Sequence, residues 1–197
     1  RAVTRSLRHL IDPNPLFECR RQQLEYSGAR GWLESSVVHL AAQRRWLTVG
    51  VSTSQDCGGA HWSTWDFFQT WNLETGQPEN LLTWFKDADA SQFNAQSGAN
   101  GSLPEPLAEF VGERIGQGDP SMHLTHDDYV GCYGEGDPGG QEYMLRLNAD
   151  GVDFILPTTW NGSCGDVFSF TFKELEPFLS KAGRAAAAQF KQAGSPG

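Results

Sequence analysis

Tyr143-Met144-Leu145-Arg146-Leu147-Asn148-Ala149-Asp150-Gly151-Val152-Asp153-Phe154-Ile155-Leu156 is the stretch whose reading decides the fold class of this chain. Tyr143, Leu145 and Leu147 alternate with other residues, as do Val152, Phe154 and Leu156, and Asn148–Gly151 between them is turn material. Alternation with period two puts successive side chains on opposite faces of a strand, so two such runs around an Asp-Gly turn predict an antiparallel hairpin with one apolar face.

The same pattern extends outward in both directions. Asp166–Phe172 predicts one more strand, with Phe168, Phe170 and Phe172 on a single face. Thr171 and Glu174 have the spacing of a capping box. Leu175, Phe178 and Leu179 then predict the inner stripe of a closing helix, with Pro177 in its first turn and Ala185–Ala188 extending it. On the N-terminal side, Leu33–Ala42, Arg45–Thr53 and His61–Leu73 predict three consecutive antiparallel strands, the first two joined by a tight turn at Gln43-Arg44. In the third, Trp65, Phe67, Trp71 and Leu73 share one face with Gln69 interrupting, and Trp65, Phe67 and Trp71 are expected to be buried beneath a helix. Glu74-Thr75-Gly76 predicts a turn, and Asn80–Phe85 a single helical turn. Ser102-Leu103-Pro104-Glu105 reads as the start of an amphipathic helix with Leu107, Phe110, Val111 and Ile115 as its apolar stripe and Gly116 as its stop.

Residues 86–103 read as a solvated loop. Gln117–Gln141 has no period and carries Asp119-Pro120, Asp137-Pro138 and a run of glycines at Gly131, Gly134, Gly136, Gly139 and Gly140; patternless stretches of this length are functional or mobile. The order of elements predicts an α+β domain, an antiparallel sheet with helices packed on it. We expect a lead-in over residues 1–17, one domain over 18–184 and a C-terminal extension over 185–197.

Cys19, Cys57, Cys132 and Cys164 lie far apart in sequence. Zinc sites draw ligands from close pairs such as C-x-x-C, and none exists here, so the even count reads as two long-range disulfides in an oxidising compartment. The expected pairing is Cys19–Cys57 and Cys132–Cys164, one of three connectivities. Cys19 opens the strand-like Glu18–Tyr26 segment beside the hairpin that delivers Cys57, and Cys132 and Cys164 flank the second hairpin. The start at Arg1, without an initiator Met, is what removal of a signal peptide leaves, and an excised fragment would look identical.

A net charge of −9 argues against nucleic acid and favours a basic partner, while also keeping an exported protein soluble. No apolar run approaches the ~20 residues needed to span a bilayer. Seven Trp and twelve Phe exceed a minimal core, which leaves some for a contact surface.

Candidate site residues fall in three places. Gly58-Gly59-Ala60-His61-Trp62 could form a binding loop, although glycine doublets are chiefly backbone devices. His123-Leu124-Thr125-His126-Asp127-Asp128-Tyr129 has a metal-like composition without the H-E-x-x-H spacing, and a polar loop is the plainer reading. Gly162-Ser163-Cys164-Gly165 lacks a nucleophile motif, so Cys164 reads as a disulfide partner. No residue is assigned a catalytic role, and no cofactor or metal is expected.

Two stretches together resemble a known family. The first runs from Val37 to Phe85 and includes Cys57-Gly58-Gly59-Ala60-His61, Trp71-Asn72-Leu73-Glu74-Thr75-Gly76 and Asn80-Leu81-Leu82-Thr83-Trp84-Phe85. The second runs from Asn148 to Leu179 and includes Ala149-Asp150-Gly151-Val152-Asp153-Phe154 and Phe172-Lys173-Glu174-Leu175-Glu176-Pro177-Phe178-Leu179. They resemble the RsiV-type extracytoplasmic domain of lysozyme-sensing anti-sigma factors. That family often has Tyr where this chain has Cys57, and a Tyr-rich segment where it has Thr158–Cys164, departures that read as disulfide adaptation. The resemblance implies a periplasmic or secreted bacterial protein that is not an enzyme. It implies a domain that binds a basic protein, a lysozyme or a muramidase toxin, as inhibitor, immunity protein or sensor. The readings from other classes are a peptidoglycan-acting enzyme or accessory using His123 and His126, and a carbohydrate-binding module using exposed Trp. Expected contacts of the binding reading are Gly58, Gly59, His61 and Trp62 in one loop, and His123, His126, Asp127, Asp128 and Tyr129 in the other.

Overall fold

A computed structural model describes residues 32–56, 63–92, 102–116, 143–156 and 167–191. Among these residues seven strands, β1 (Trp32–Gln43), β2 (Trp46–Asp56), β3 (Ser63–Asn72), β4 (Gln77–Glu79), β5 (Met144–Leu147), β6 (Gly151–Ile155) and β7 (Val167–Thr171), are accompanied by two α-helices, α1 (Glu105–Gly116) and α2 (Lys181–Lys191). The strands form two antiparallel sheets, β1-β2-β3-β4 and β5-β6-β7, where a single sheet was expected. The class is α+β. No described helix is long and apolar enough to cross a membrane.

The second sheet follows the sequence pattern closely. Leu145 pairs with Phe154 and Leu147 with Val152, while Phe154 faces Phe168 and Val152 faces Phe170 across the next pair. All of these lie within one buried cluster with Tyr143, Leu156 and Phe172. The Asn148 side chain accepts from the Asp150 N–H at 2.9 Å, closing the turn that sets this register.

The same cluster takes in the short helical elements. Asn80 caps the 3-10 turn Leu81–Trp84 by accepting from the Leu82 N–H at 3.0 Å. Leu107 and Val111 of α1 are buried, and Arg114 binds Glu174 at 3.1 Å. Thr171 and Glu174 exchange the reciprocal hydrogen bonds of a capping box, and the Thr171 N–H is the main cause holding the Glu174 carboxyl below its ordinary value.

That box does not open the closing helix, however. Residues 176–178 form a 3-10 turn around Pro177, and Leu179 pairs as an isolated bridge with Phe85. The helix starts only at Lys181, where the Ser180 hydroxyl accepts from the Gly183 N–H at 3.2 Å. A Cβ at Gly183 would lie 2.1 Å from the Trp84 carbonyl oxygen, so this helix can approach the 81–84 turn only with glycine there. α2 runs across the expected boundary at residue 184, and Ala186, Ala187 and Phe190 belong to the core.

In the first sheet the tight turn is Arg44-Arg45, one residue later than expected, with Arg44 at a positive φ of 54°. The face assignment of β3 needs a larger correction. Phe68, Gln69, Thr70 and Trp71 are all buried, so both faces of the strand are covered at this end, and Leu73 lies exposed in the following turn. Trp71 clusters with Val49, Val51 and Leu47, and no described helix belongs to that cluster. Phe67 is half-buried, and the side chain of Trp65 lies outside the described set. On the opposite face of the sheet it is Trp46 that meets a helix, stacked on Phe190 of α2 at 5.4 Å.

On the face that carries Trp46, Gly50 stands between His39 and Phe68 in register. A Cβ there would lie 2.4 Å from Phe68 Cε1 and 2.9 Å from His39 Cβ. Gly50→Ala is therefore expected to cost about 1–3 kcal/mol through overpacking. Urea denaturation checks this, and an unchanged midpoint would mean the strands yield.

Candidate functional site

Cys19, Cys57, Cys132 and Cys164, and with them the expected pairing, lie outside the described residues. So do Gly58, Gly59, His61 and Trp62, together with His123, His126, Asp127, Asp128 and Tyr129. The described strands still give the first loop an address. Residues 57–62 join the end of β2 to the start of β3, and Trp32 stands opposite Asp56 at that end of the sheet.

Beyond residue 51 the strands leave the buried core. Ser52 to Asp56 are all half-buried, and hydroxyl pairs bridge neighbouring strands here, Ser35 with Thr53 at 3.0 Å and Ser54 with Thr64 at 2.9 Å. β1 stands at one edge of its sheet, paired with β2 alone among the described strands. It is twelve residues long and breaks register at a bulge between Val37 and His39. Val37 is 64% exposed, Val38 51%, Leu40 69% and Trp32 44%. Edge strands of soluble proteins are ordinarily short or charged, because a long apolar edge invites pairing with another chain. This one presents apolar side chains to solvent at Trp32 and again from Val37 to Leu40, with Glu34, Ser35 and Ser36 between.

A polar cluster joins the two sheets behind that edge. Asp153 on β6 is 3% exposed and accepts from Arg146 Nε at 2.7 Å, Asn148 Nδ2 at 2.5 Å and Ser169 Oγ at 2.7 Å. Gln43 at the end of β1 donates to the Asn148 carbonyl at 2.8 Å, and the Arg146 guanidinium lies 5.1 Å from the centre of the Phe68 ring. His39 meets that ring edge-on at 6.3 Å. Burial is the main cause that lowers the His39 pKa from its ordinary 6.5, and Arg146 adds to it. Asp153 and a hydrogen bond to the Leu147 backbone oppose them.

Although Ser, His and Asp meet here, they do not form a nucleophilic relay. A relay needs the base on the hydroxyl and the carboxylate on the base. Here the Ser169 hydroxyl is bonded directly to Asp153, which also accepts from Arg146 and Asn148. The arrangement can hold two sheets together. Among the described residues no group of three or more His, Cys, Asp or Glu is placed to hold a metal ion.

Sequence reasoning passed over this cluster. A partial signal was present, because an Asn148–Gly151 turn places Arg146 directly across from Asp153. His39 and Phe68 come from a different sheet, and nothing local announces them.

A solved structure of a DUF3298 family member from Bacteroides fragilis is similar to this chain, with a TM-score of 0.57 and 17% identity over 94% of this chain and 68% of that one. A DUF3298 family protein from Pseudomonas aeruginosa gives a TM-score of 0.46 and 14% identity over 82% and 67% of the two chains. No family model and no curated protein matches the sequence. At 17% identity the Bacteroides likeness is one of fold.

Proposed function

We propose that this chain is a non-catalytic binding domain of an exported bacterial protein. Its ligand is a basic cell-wall hydrolase of the lysozyme or muramidase class, and the outer edge of β1 forms part of the contact. The observation that carries a protein ligand is the apolar edge itself, with Val37, Val38 and Leu40 each more than half exposed. An exposed strand edge offers a partner main-chain hydrogen bonds together with apolar side-chain contacts.

The choice of a basic hydrolase rests on two supports from the sequence. One is the net charge of −9, which speeds encounter with a cationic enzyme. The other is the resemblance of the 37–85 and 148–179 stretches to the RsiV-type domain. The 57–62 connection, with Gly58, Gly59, His61 and Trp62, starts and ends at the Trp32 end of the sheet and would extend the contact. The 117–141 segment would add Asp127, Asp128 and Tyr129. A carbohydrate module would display a platform of tryptophans, but Trp46, Trp71 and Trp84 are buried and Trp32 is the exposed one among those described.

The test is a binding titration against a panel of muramidases, with Val38→Lys/Leu40→Lys as the variant. Both positions are exposed, so the melting temperature should hardly change. Affinity should fall about tenfold or more if the pair anchors the contact. Undiminished affinity would remove β1 from the interface. Failure of the unaltered protein to bind any muramidase, with turnover of cell-wall fragments, would establish an enzyme instead. Asp127→Ala with Asp128→Ala probes the second loop through a slower association rate at low salt.

A further inference from the structure

We propose that His39 is an acid-sensitive latch between the two sheets. Adding a proton to its ring creates a buried N–H without an acceptor and a second cation beside Arg146, which loosens β1 from the β5–β6 hairpin. The neutral ring suits its surroundings. It packs edge-on against Phe68 in the space that Gly50 leaves, and its Nε2 is buried with no hydrogen-bond partner. A bare ring nitrogen in such a place loses one hydrogen bond, whereas an N–H carrying charge there loses more.

The charged groups that face the ring are Arg146 from β5 and Asp153 from β6. β2 and β3 contribute Gly50 and Phe68, which carry no charge. Asp153 attracts a proton toward His39, but its oxygens already accept from Arg146, Asn148 and Ser169. The carboxylate cannot turn toward the imidazolium without giving up one of those donors. Arg146 is held by Asp153 and lies over Phe68, so it cannot retreat without breaking the same network. What Gln43 and His39 hold together in the neutral state, through the Asn148 carbonyl and the Leu147 backbone, is the approach of β1 to the hairpin.

The direction of the pH effect follows from linkage. Folding favours the neutral ring, so the folded-state pKa lies below the ordinary 6.5. The contribution is fully present above 6.5 and is lost as pH falls through that value toward the folded-state pKa. The acid side of neutrality is therefore where the junction weakens.

The experiment follows the whole chain by urea denaturation between pH 8 and pH 5, beside His39→Gln, which keeps a neutral polar side chain. The unaltered protein should lose midpoint as pH falls through 6.5, and His39→Gln should lose measurably less. Equal losses in the two proteins would overturn the proposal. If His39→Gln does not fold, the ring's own titration by NMR decides the matter. A midpoint below the ordinary histidine value, with faster hydrogen exchange at Arg146 and Leu147 on protonation, supports the latch. A midpoint at or above that value, or exchange that does not change, rejects it.

Discussion

Trp46→Ala is expected to cost about 3–5 kcal/mol, which approaches the whole stability of an ordinary domain. Trp46 is 1% exposed and sits where the first sheet meets everything else. Its ring stacks on Phe190 of α2 at 5.4 Å and meets Trp84 edge-on at 5.1 Å, and the Arg45 guanidinium lies 4.8 Å from its centre. Removing the indole leaves a void bounded by two aromatic rings from two other elements, neither of which can close it without losing contacts of its own. Trp46→Phe should cost less, because it keeps a ring in the stack and removes an indole N–H that is buried with no acceptor. Urea denaturation of both variants, with helix content followed by circular dichroism, checks the ordering. Trp46→Ala within about 1 kcal/mol of the unaltered protein would mean that α2 does not dock where it is placed.

Asp153→Ala is expected to destabilise by about 3–5 kcal/mol, for a different reason. The aspartate side chain is 4% exposed and that of its partner Arg146 is 19% exposed, so removing the carboxylate leaves a guanidinium charge that solvent barely reaches. Asn148 and Ser169 lose their acceptor in the same step. Removing both charges separates these effects. Arg146→Met combined with Asp153→Leu should recover part of the loss, because no unpaired charge then remains in the junction. A double variant no more stable than Asp153→Ala would show that the hydrogen bonds, and not the ion pair, hold the site.

These two positions mark what could and could not be read in advance. The hairpin of β5 and β6 was legible because its turn is local and alternation sets which residues share a face, placing Leu145 and Leu147 with Val152 and Phe154, although Asp153 and Ile155 on the other face of β6 are buried as well. The same holds for Phe168, Phe170 and Phe172, and for Asn80, whose cap is made within two residues of chain. The capping box at Thr171 and Glu174 was legible as a set of hydrogen bonds but not as a helix start. Pro177 and the Phe85–Leu179 bridge hold the chain off the helical path until Ser180. That bridge joins residues 94 positions apart in the sequence, and no local pattern encodes it.

β3 shows the limit most plainly. Its alternation separates Phe68 and Thr70 from Gln69 and Trp71, yet all four are buried, so period two states which side chains share a face and not what covers it. The expectation for Trp71 erred on that point, and Trp46, near the start of its strand, took the place beneath the helix. The exposed edge of β1 was illegible for the same reason: Val37 and Leu40 have the composition of core residues, and only the absence of a covering element among the described residues distinguishes them.

The sequence by itself determined the α+β class, the turns, the caps and most of the strand and helix segments, because these depend on backbone torsions and hydrogen bonds within a few residues. Tertiary structure alone decided that the described strands form two sheets, that Trp46 lies beneath α2, and that His39, Phe68, Arg146 and Asp153 meet. Those outcomes depend on which apolar faces cover one another and which buried charges find partners. Both are set by contacts between residues far apart in the chain, and such contacts leave no periodic mark in the sequence.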